Sequence, residues 1–155
     1  MNELFNIKDR VVVLTGGTGV LGKAIALYLA KQGAKVVVMG RRVEAGEAIV
    51  KQIREEGGEG MFLVTDVMNQ AVVEQNLADV LAQYGRVDAL LNAAGGNMPG
   101  ATIAPTGTFF DLKAEEFQRV LDLNLTGTVI PTQVFLRPMV EQGKGCVVNF
   151  SSMAA

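Results

Sequence analysis

Five short runs of aliphatic residues alternate along this chain with longer stretches of helical periodicity, and that alternation limits the possible fold more than any other feature. The runs at 11–14 (Val-Val-Val-Leu), 36–39, 61–64, 87–91 and 147–150 are apolar at nearly every position, as strands buried on both faces must be. Between them, residues 19–32 place Val20, Ala24, Leu27 and Ala30 at helical spacing, with Gly33 as the stop. Residues 43–56 put Ala45, Ala48, Ile49 and Ile53 on one face before Gly57 and Gly58. Residues 69–84 carry Val72, Val73, Leu77, Val80, Leu81 and Tyr84, and Gly85 ends them. A long helical stretch is predicted over 113–142. Strands separated by helices require right-handed crossovers and a parallel sheet covered on both faces, so the predicted fold is a doubly wound α/β sheet. At 155 residues the chain is read as a single domain over 1–155. Ligands of such sheets bind outside the carboxyl ends of the strands, which directs attention to the segments that follow them.

The segment after the first strand is Thr15-Gly16-Gly17-Thr18-Gly19-Val20-Leu21-Gly22. Read as Gly17-x-Gly19-x-x-Gly22, it has the glycine spacing of a dinucleotide fingerprint in the required strand–turn–helix setting. Small residues let backbone approach a pyrophosphate, and the helix start offers unpaired N–H groups with partial positive charge. Gly22 would let the first helix pack closely on the sheet, whereas a merely tight turn is the plainer alternative. The second strand runs into Gly40-Arg41-Arg42, where a protein selective for NAD normally carries an acidic residue for the ribose hydroxyls. Two guanidinium groups there suit a 2′-phosphate, with a solvated pair at the helix start as the plainer reading for at least one of them, so NADP is the expected cofactor and NAD the alternative.

Composition removes several other classes. There is no His, which excludes a Ser-His-Asp hydrolase or a His-ligated metal within this chain, and the one cysteine, Cys146, has no partner for an internal disulfide. A reducing, cytoplasmic setting is the resulting expectation. Fourteen basic against sixteen acidic residues leave a net charge of -2, which does not attract nucleic acid over the whole surface. No apolar run approaches the roughly 20 residues that span a bilayer, and none has the character of a signal peptide. Neither a nucleic acid nor a membrane is an expected partner. Mean hydropathy is +0.28, and 49% of residues are hydrophobic, far from a disordered composition.

Three further stretches follow strands or lie in the long helix: Thr65-Asp66-Val67; Asn92-Ala93-Ala94-Gly95; and Leu121-Asp122-Leu123-Asn124 with Val148-Asn149-Phe150-Ser151-Ser152. With the glycine loop, they make the chain resemble the short-chain dehydrogenases/reductases over essentially its whole length. The resemblance implies a Rossmann fold in which Gly16, Gly17, Thr18, Gly19, Val20, Leu21 and Gly22 hold the dinucleotide's phosphates. It implies that Asp66 hydrogen-bonds the adenine amino group, assisted by the backbone of Val67. It also places Asn92, Ala93, Ala94 and Gly95 beside the cofactor, Asn124 at the catalytic Asn position and Ser152 at the catalytic Ser position. Read without the resemblance, Asp66 and Asn92 are turn-capping residues, Asn124 a satisfied core amide, and the serines turn residues.

The chain departs from the family pattern in three places. Val20 stands where most short-chain members have the middle glycine, and Gly19 comes one place early. The segment 96–105 is long, and with Phe109-Phe110-Asp111-Leu112 it looks most like the D-mannonate (fructuronate) oxidoreductases. Finally, the family's proton donor is the Tyr of a Tyr-x-x-x-Lys motif, and neither Tyr28 nor Tyr84 is followed by Lys at that spacing. The expectation is an amino-terminal portion of a dehydrogenase, itself with negligible turnover, whose complete form exchanges a hydride with a small carbonyl or alcohol. A non-catalytic dinucleotide-binding module and an interaction domain remain as alternatives. Leu121, Leu125, Val129, Ile130, Val134 and Phe135 are too apolar for a solvated helix, and the fifth strand would be a sheet edge. A homo-oligomer, dimer or tetramer, is therefore expected.

Overall fold

Alternate residues of the first strand face opposite cores. In a computed structural model that describes residues 6–152, β1 (Val11–Thr15) sends Val11 and Val13 to one side of the sheet and Val12 and Leu14 to the other. Strand β1 is followed by α1 (Val20–Lys31), β2 (Lys35–Gly40), α2 (Val43–Glu55), β3 (Glu59–Val64), α3 (Gln70–Tyr84) and β4 (Ala89–Asn92). Then come α4 (Ala114–Leu121), α5 (Gly127–Glu141) and β5 (Cys146–Asn149). All strand pairs are parallel, in the order β3-β2-β1-β4-β5. The expected doubly wound sheet is therefore present.

One core joins Val12, Leu14, Val36 and Val38 to Ala26 and Ala30 of α1 and Ile49, Val50 and Ile53 of α2. The other joins Val11, Val13, Val37, Met39 and Leu90 to Val73 and Val80 of α3 and Val134, Phe135 and Met139 of α5. Each fully buried aliphatic side chain contributes about 1.5–3 kcal/mol, so both faces are needed to hold the sheet.

Several predicted details are corrected. Helix α1 buries Gly22, Ala26 and Ala30, so of the predicted face Ala30 is buried and Leu27 half-buried, while Ala24 is exposed and Val20 is 94% exposed. Small residues take the inner face because the helix start lies directly on the glycine loop. Helix α2 likewise turns Gly46, Ile49, Val50 and Ile53 inward and leaves Ala48 exposed. The stretch predicted as one helix over 113–142 is α4 and α5 joined by a π-helical segment, Asp122–Thr126. There the N–H of Gly127 donates to the carbonyl of Asp122, five residues back. Such wide turns inside helices concentrate at functional sites, and this one contains Asn124.

Candidate functional site: the carboxyl rim of the sheet

Strand register brings the ends of β1, β4 and β5 level, since Thr15 pairs with Asn92 and Asn92 with Asn149. Gly40 of β2 pairs with Val64 of β3 on the other side. The residues that follow these ends form one rim. The chain runs from β1 to β2 and β3 in one direction and to β4 and β5 in the other, so the topological switch point lies between β1 and β4.

At that point the glycine loop and the segment after β4 touch. Gly16 has φ +65, and a Cβ there would stand 2.5 Å from the carbonyl oxygen of Ala93. Only glycine satisfies both demands. A Cβ on Gly22 would lie 2.3 Å from the Gly16 carbonyl oxygen, so α1 starts in direct contact with the loop. Gly19 caps α1 with extended backbone and no side-chain bond, leaving the first-turn N–H groups of the helix to a ligand or solvent. The side chains of Val20 and Leu21 project into solvent and do not cover that turn. These features fit a pyrophosphate: the helix start offers backbone donors, and the side chains of Val20 and Leu21 are turned to solvent.

Thr15, fully buried, accepts hydrogen bonds on Oγ1 from the N–H groups of Ala93 (3.2 Å) and Ala94 (3.1 Å). It fixes the segment after β4 against the glycine loop, a role the sequence pattern did not single out. A buried hydroxyl at a strand end, which must find partners, was the available signal.

Asn92 turns inward. Its Nδ2 donates to Thr132 Oγ1 and to Asn149 Oδ1, both at 2.9 Å, tying β4 to α5 and β5. Its contribution at the rim comes from the backbone, whose carbonyl accepts from the N–H of Phe150. Asn124 reaches the rim from the π-helical segment. Its Nδ2 donates to the carbonyl of Gly96 (2.7 Å) and its Oδ1 accepts from the Gly96 N–H (3.2 Å). Gly95 lies under the same amide, where a Cβ would stand 2.6 Å from Asn124 Oδ1. Asn124 therefore clamps the segment that begins Ala93-Ala94-Gly95. Ser152 lies three residues beyond β5, on the same side of the sheet, and is exposed.

Asp66, just past β3, uses Oδ1 to accept the N–H of Met68 (3.0 Å), while its exposed carboxylate remains at the rim. Val67 is buried, and a Cβ on Gly127 would come within 2.9 Å of it, so only its backbone is offered to a ligand. Beyond β2, the Arg42 guanidinium donates to the carbonyl of Thr18, joining the α2 start to the glycine loop. Arg41 is exposed and makes no hydrogen bond or ion pair among the described residues.

A cavity of about 580 Å³ opens at the opposite, amino-terminal edge of the strands, lined in part by Lys8, Lys31, Lys35, Glu56 and Glu59. Its lysines and carboxylates offset one another, and Lys35 is paired with Glu59 at 3.4 Å. At that same edge Asp88 accepts from Arg10, Arg86 and the N–H of Val11. Burial pushes its carboxyl up, but those bonds and the Arg86 charge outweigh burial and hold it below the usual carboxylate range. This is structural chemistry, remote from the rim. Among the described residues no group of His, Cys, Asp or Glu is arranged for a metal, and no helix is long and apolar enough to cross a membrane.

Comparison with known proteins agrees with this geometry. The family model for short chain dehydrogenase matches residues 10–155. The uncharacterized oxidoreductase UxuB of Bacillus subtilis (strain 168) is 37% identical over 97% of this chain and 57% of its own length. A proposed D-mannonate oxidoreductase from Haemophilus influenza, crystallised with bound NAD, superposes with a TM-score of 0.87 at 31% identity, covering 96% of this chain and 56% of that one. A metagenomic short-chain oxidoreductase in complex with NADP gives 0.83 at 29% identity, over 96% and 64%. The chain thus spans little more than half the length of the curated relatives it matches. With the glycine loop, the Asn-Ala-Ala-Gly segment and the Asn124 turn all meeting at the rim, the chain belongs to the short-chain dehydrogenase family.

Proposed function

We propose that this chain provides the dinucleotide-binding part of an oxidoreductase that uses NADP, with NAD as the weaker alternative, on a small carbonyl or alcohol. The observation that carries this reading is the bare backbone cradle where Gly16, Gly22 and Ala93 meet. In it the first-turn N–H groups of α1 hold the pyrophosphate, Arg41 faces a 2′-phosphate, and Asp66 with the Val67 backbone receives the adenine. Ala93, Ala94 and Gly95 leave a flat channel for the rest of the dinucleotide. When bound, the nicotinamide supplies or takes up the hydride. Asn124 keeps the wall of that channel in register through Gly96, and the Ser152 hydroxyl orients a substrate oxygen. A sugar acid such as fructuronate or mannonate is the proposed substrate class, supported by the long segment after β4 and the likeness to the Haemophilus protein.

The sequence contains no Tyr-x-x-x-Lys. General acid–base help of the kind that motif gives is typically worth about 10²–10⁴-fold, so the chain alone is proposed to bind dinucleotide with negligible turnover. The same observation favours the second reading, a non-catalytic dinucleotide-binding module. Phe117, Leu121, Leu125 and Val129 form an exposed stripe along α4, the π-helical segment and α5, and self-association through it is proposed. Calorimetric titration with NADP and NAD, followed by an assay of fructuronate reduction, tests the reading. Binding of NADP more tightly than NAD supports it, and no binding of either removes it. Robust turnover by the chain alone would contradict the expected lack of a proton donor.

A further inference from the structure

We propose that Thr18 and Gly40 act as a coupled pair that sets the choice between the two nicotinamide dinucleotides, by denying the end of β2 any side chain. A Cβ at Gly40 would stand 2.6 Å from Thr18 Oγ1, 2.8 Å from its Cγ2 and 3.2 Å from its Cβ. Gly40 is the last residue of β2, near the point where an acidic side chain otherwise receives the ribose hydroxyls. Rotating the threonine relieves the two nearer contacts but not the third. The loop carrying it has little freedom to retreat. The N–H of Gly17 donates to the carbonyl of Met39 at 3.0 Å, and Arg42 holds the carbonyl of Thr18 itself. On the far side the N–H of Thr65 donates to the carbonyl of Gly40 at 3.0 Å.

The glycine loop and the β2–α2 corner are thus one packed unit, and while Thr18 is present a side chain at Gly40 enters it only if the threonine rotates and the loop gives way. Two uncharged residues keep the corner free of negative charge, which leaves Arg41 as the charged group facing a 2′-phosphate. Arg42 is then a positioning residue, spent on the loop. This inference rests on the reading of the rim as a dinucleotide site, and it adds that an acidic residue alone cannot convert it.

The test uses the full chain and its Gly40→Asp, Thr18→Gly and doubly substituted variants, with NADP and NAD affinities from calorimetry. The parent is expected to favour NADP by about tenfold or more, since charge-assisted bonds to a phosphate are the stronger kind. Gly40→Asp alone weakens both dinucleotides by about tenfold or more, because the new side chain displaces the loop. The double variant recovers binding and favours NAD by about tenfold or more, as a like-charge contact then opposes the 2′-phosphate. A Gly40→Asp protein that prefers NAD with unimpaired affinity, or a double variant that still prefers NADP, overturns the proposal. A parent that binds neither dinucleotide overturns the reading of the rim and the proposal with it. Should Gly40→Asp fail to fold, Gly40→Ala provides a ligand-free test through its melting temperature. The alanine should lower the melting temperature by several degrees in the parent and by less than half as much beside Thr18→Gly. Equal losses in the two backgrounds would refute the coupling.

Discussion

Replacing Gly22 by alanine probes the cradle without altering its charge. The added Cβ would meet the Gly16 carbonyl oxygen at 2.3 Å, the Gly17 Cα at 2.7 Å and the Gly17 carbonyl carbon at 2.9 Å. All three are backbone atoms and cannot rotate away. To reach ordinary contact, α1 must withdraw from the loop by about 1 Å, in an interior with almost no spare volume. Overpacking of this kind costs about 1–3 kcal/mol, and alanine's better helix propensity offsets up to about 1 kcal/mol of it. The net destabilisation is therefore modest, about 1–2 kcal/mol. Binding should suffer more. A phosphate-directed N–H displaced that far no longer makes its bond, and each such bond is worth about 1.5–3 kcal/mol. Losing one weakens NADP by about ten- to hundredfold. Gly46→Ala is the control, since its Cβ would lie 2.1 Å from the Phe62 ring, between α2 and β3 and away from the cradle. Urea denaturation should show similar losses for the two variants, while calorimetry shows weakened NADP binding for Gly22→Ala only. If Gly22→Ala binds NADP like the parent at equal destabilisation, the cradle is not the binding surface.

Three other outcomes are expected. Asp88 has a folded-state pKa held below its unfolded value, so it stabilises the fold above the ordinary carboxylate range, and that contribution is lost as pH falls through the folded-state value. Asp88→Asn should cost about 1–2 kcal/mol at neutral pH, discounted for the partly exposed arginines. Urea melts across pH 3–7 should also show a reduced acid dependence (the full slope persisting would contradict this). Thr15→Val keeps the shape but removes the acceptor for two N–H groups. It should destabilise by about 1–3 kcal/mol and speed amide exchange at Ala93 and Ala94, and unchanged exchange would show that the hydroxyl does not hold that segment. Phe117→Glu with Leu121→Glu should shift the chain to monomer in sedimentation velocity, and an unchanged distribution would place any association elsewhere.

Much of this architecture was legible because strands buried on both faces need long apolar runs, and β1 and β2 have them. The rim residues were legible because glycine spacing and post-strand Asx residues carry a pattern. What escaped the sequence was set by close approach. Gly22 decides which face of α1 is buried, yet glycine adds nothing to an apolar periodicity, so Val20 and Ala24 drew the prediction away from Gly22 and Ala26, while Ala30 was placed correctly. The π-helical turn around Asn124 depends on a single widened hydrogen bond, which leaves helical spacing almost intact. Asn92 stands at the rim as the last residue of β4, but its amide turns toward Thr132 and Asn149, partners 40 and 57 residues away. The pairing of Thr18 with Gly40 is equally non-local, and it emerges only when the second strand lies beside the first.

The most direct test of the account is an NMR titration of the isotope-labelled chain with NADP, following backbone amides. The cradle predicts that resonances of residues 17–22 move together with those of 66–67 and 93–95, while amides around Asp88 at the opposite edge stay in place. Saturable binding that leaves the amides of 17–22 unmoved would contradict it.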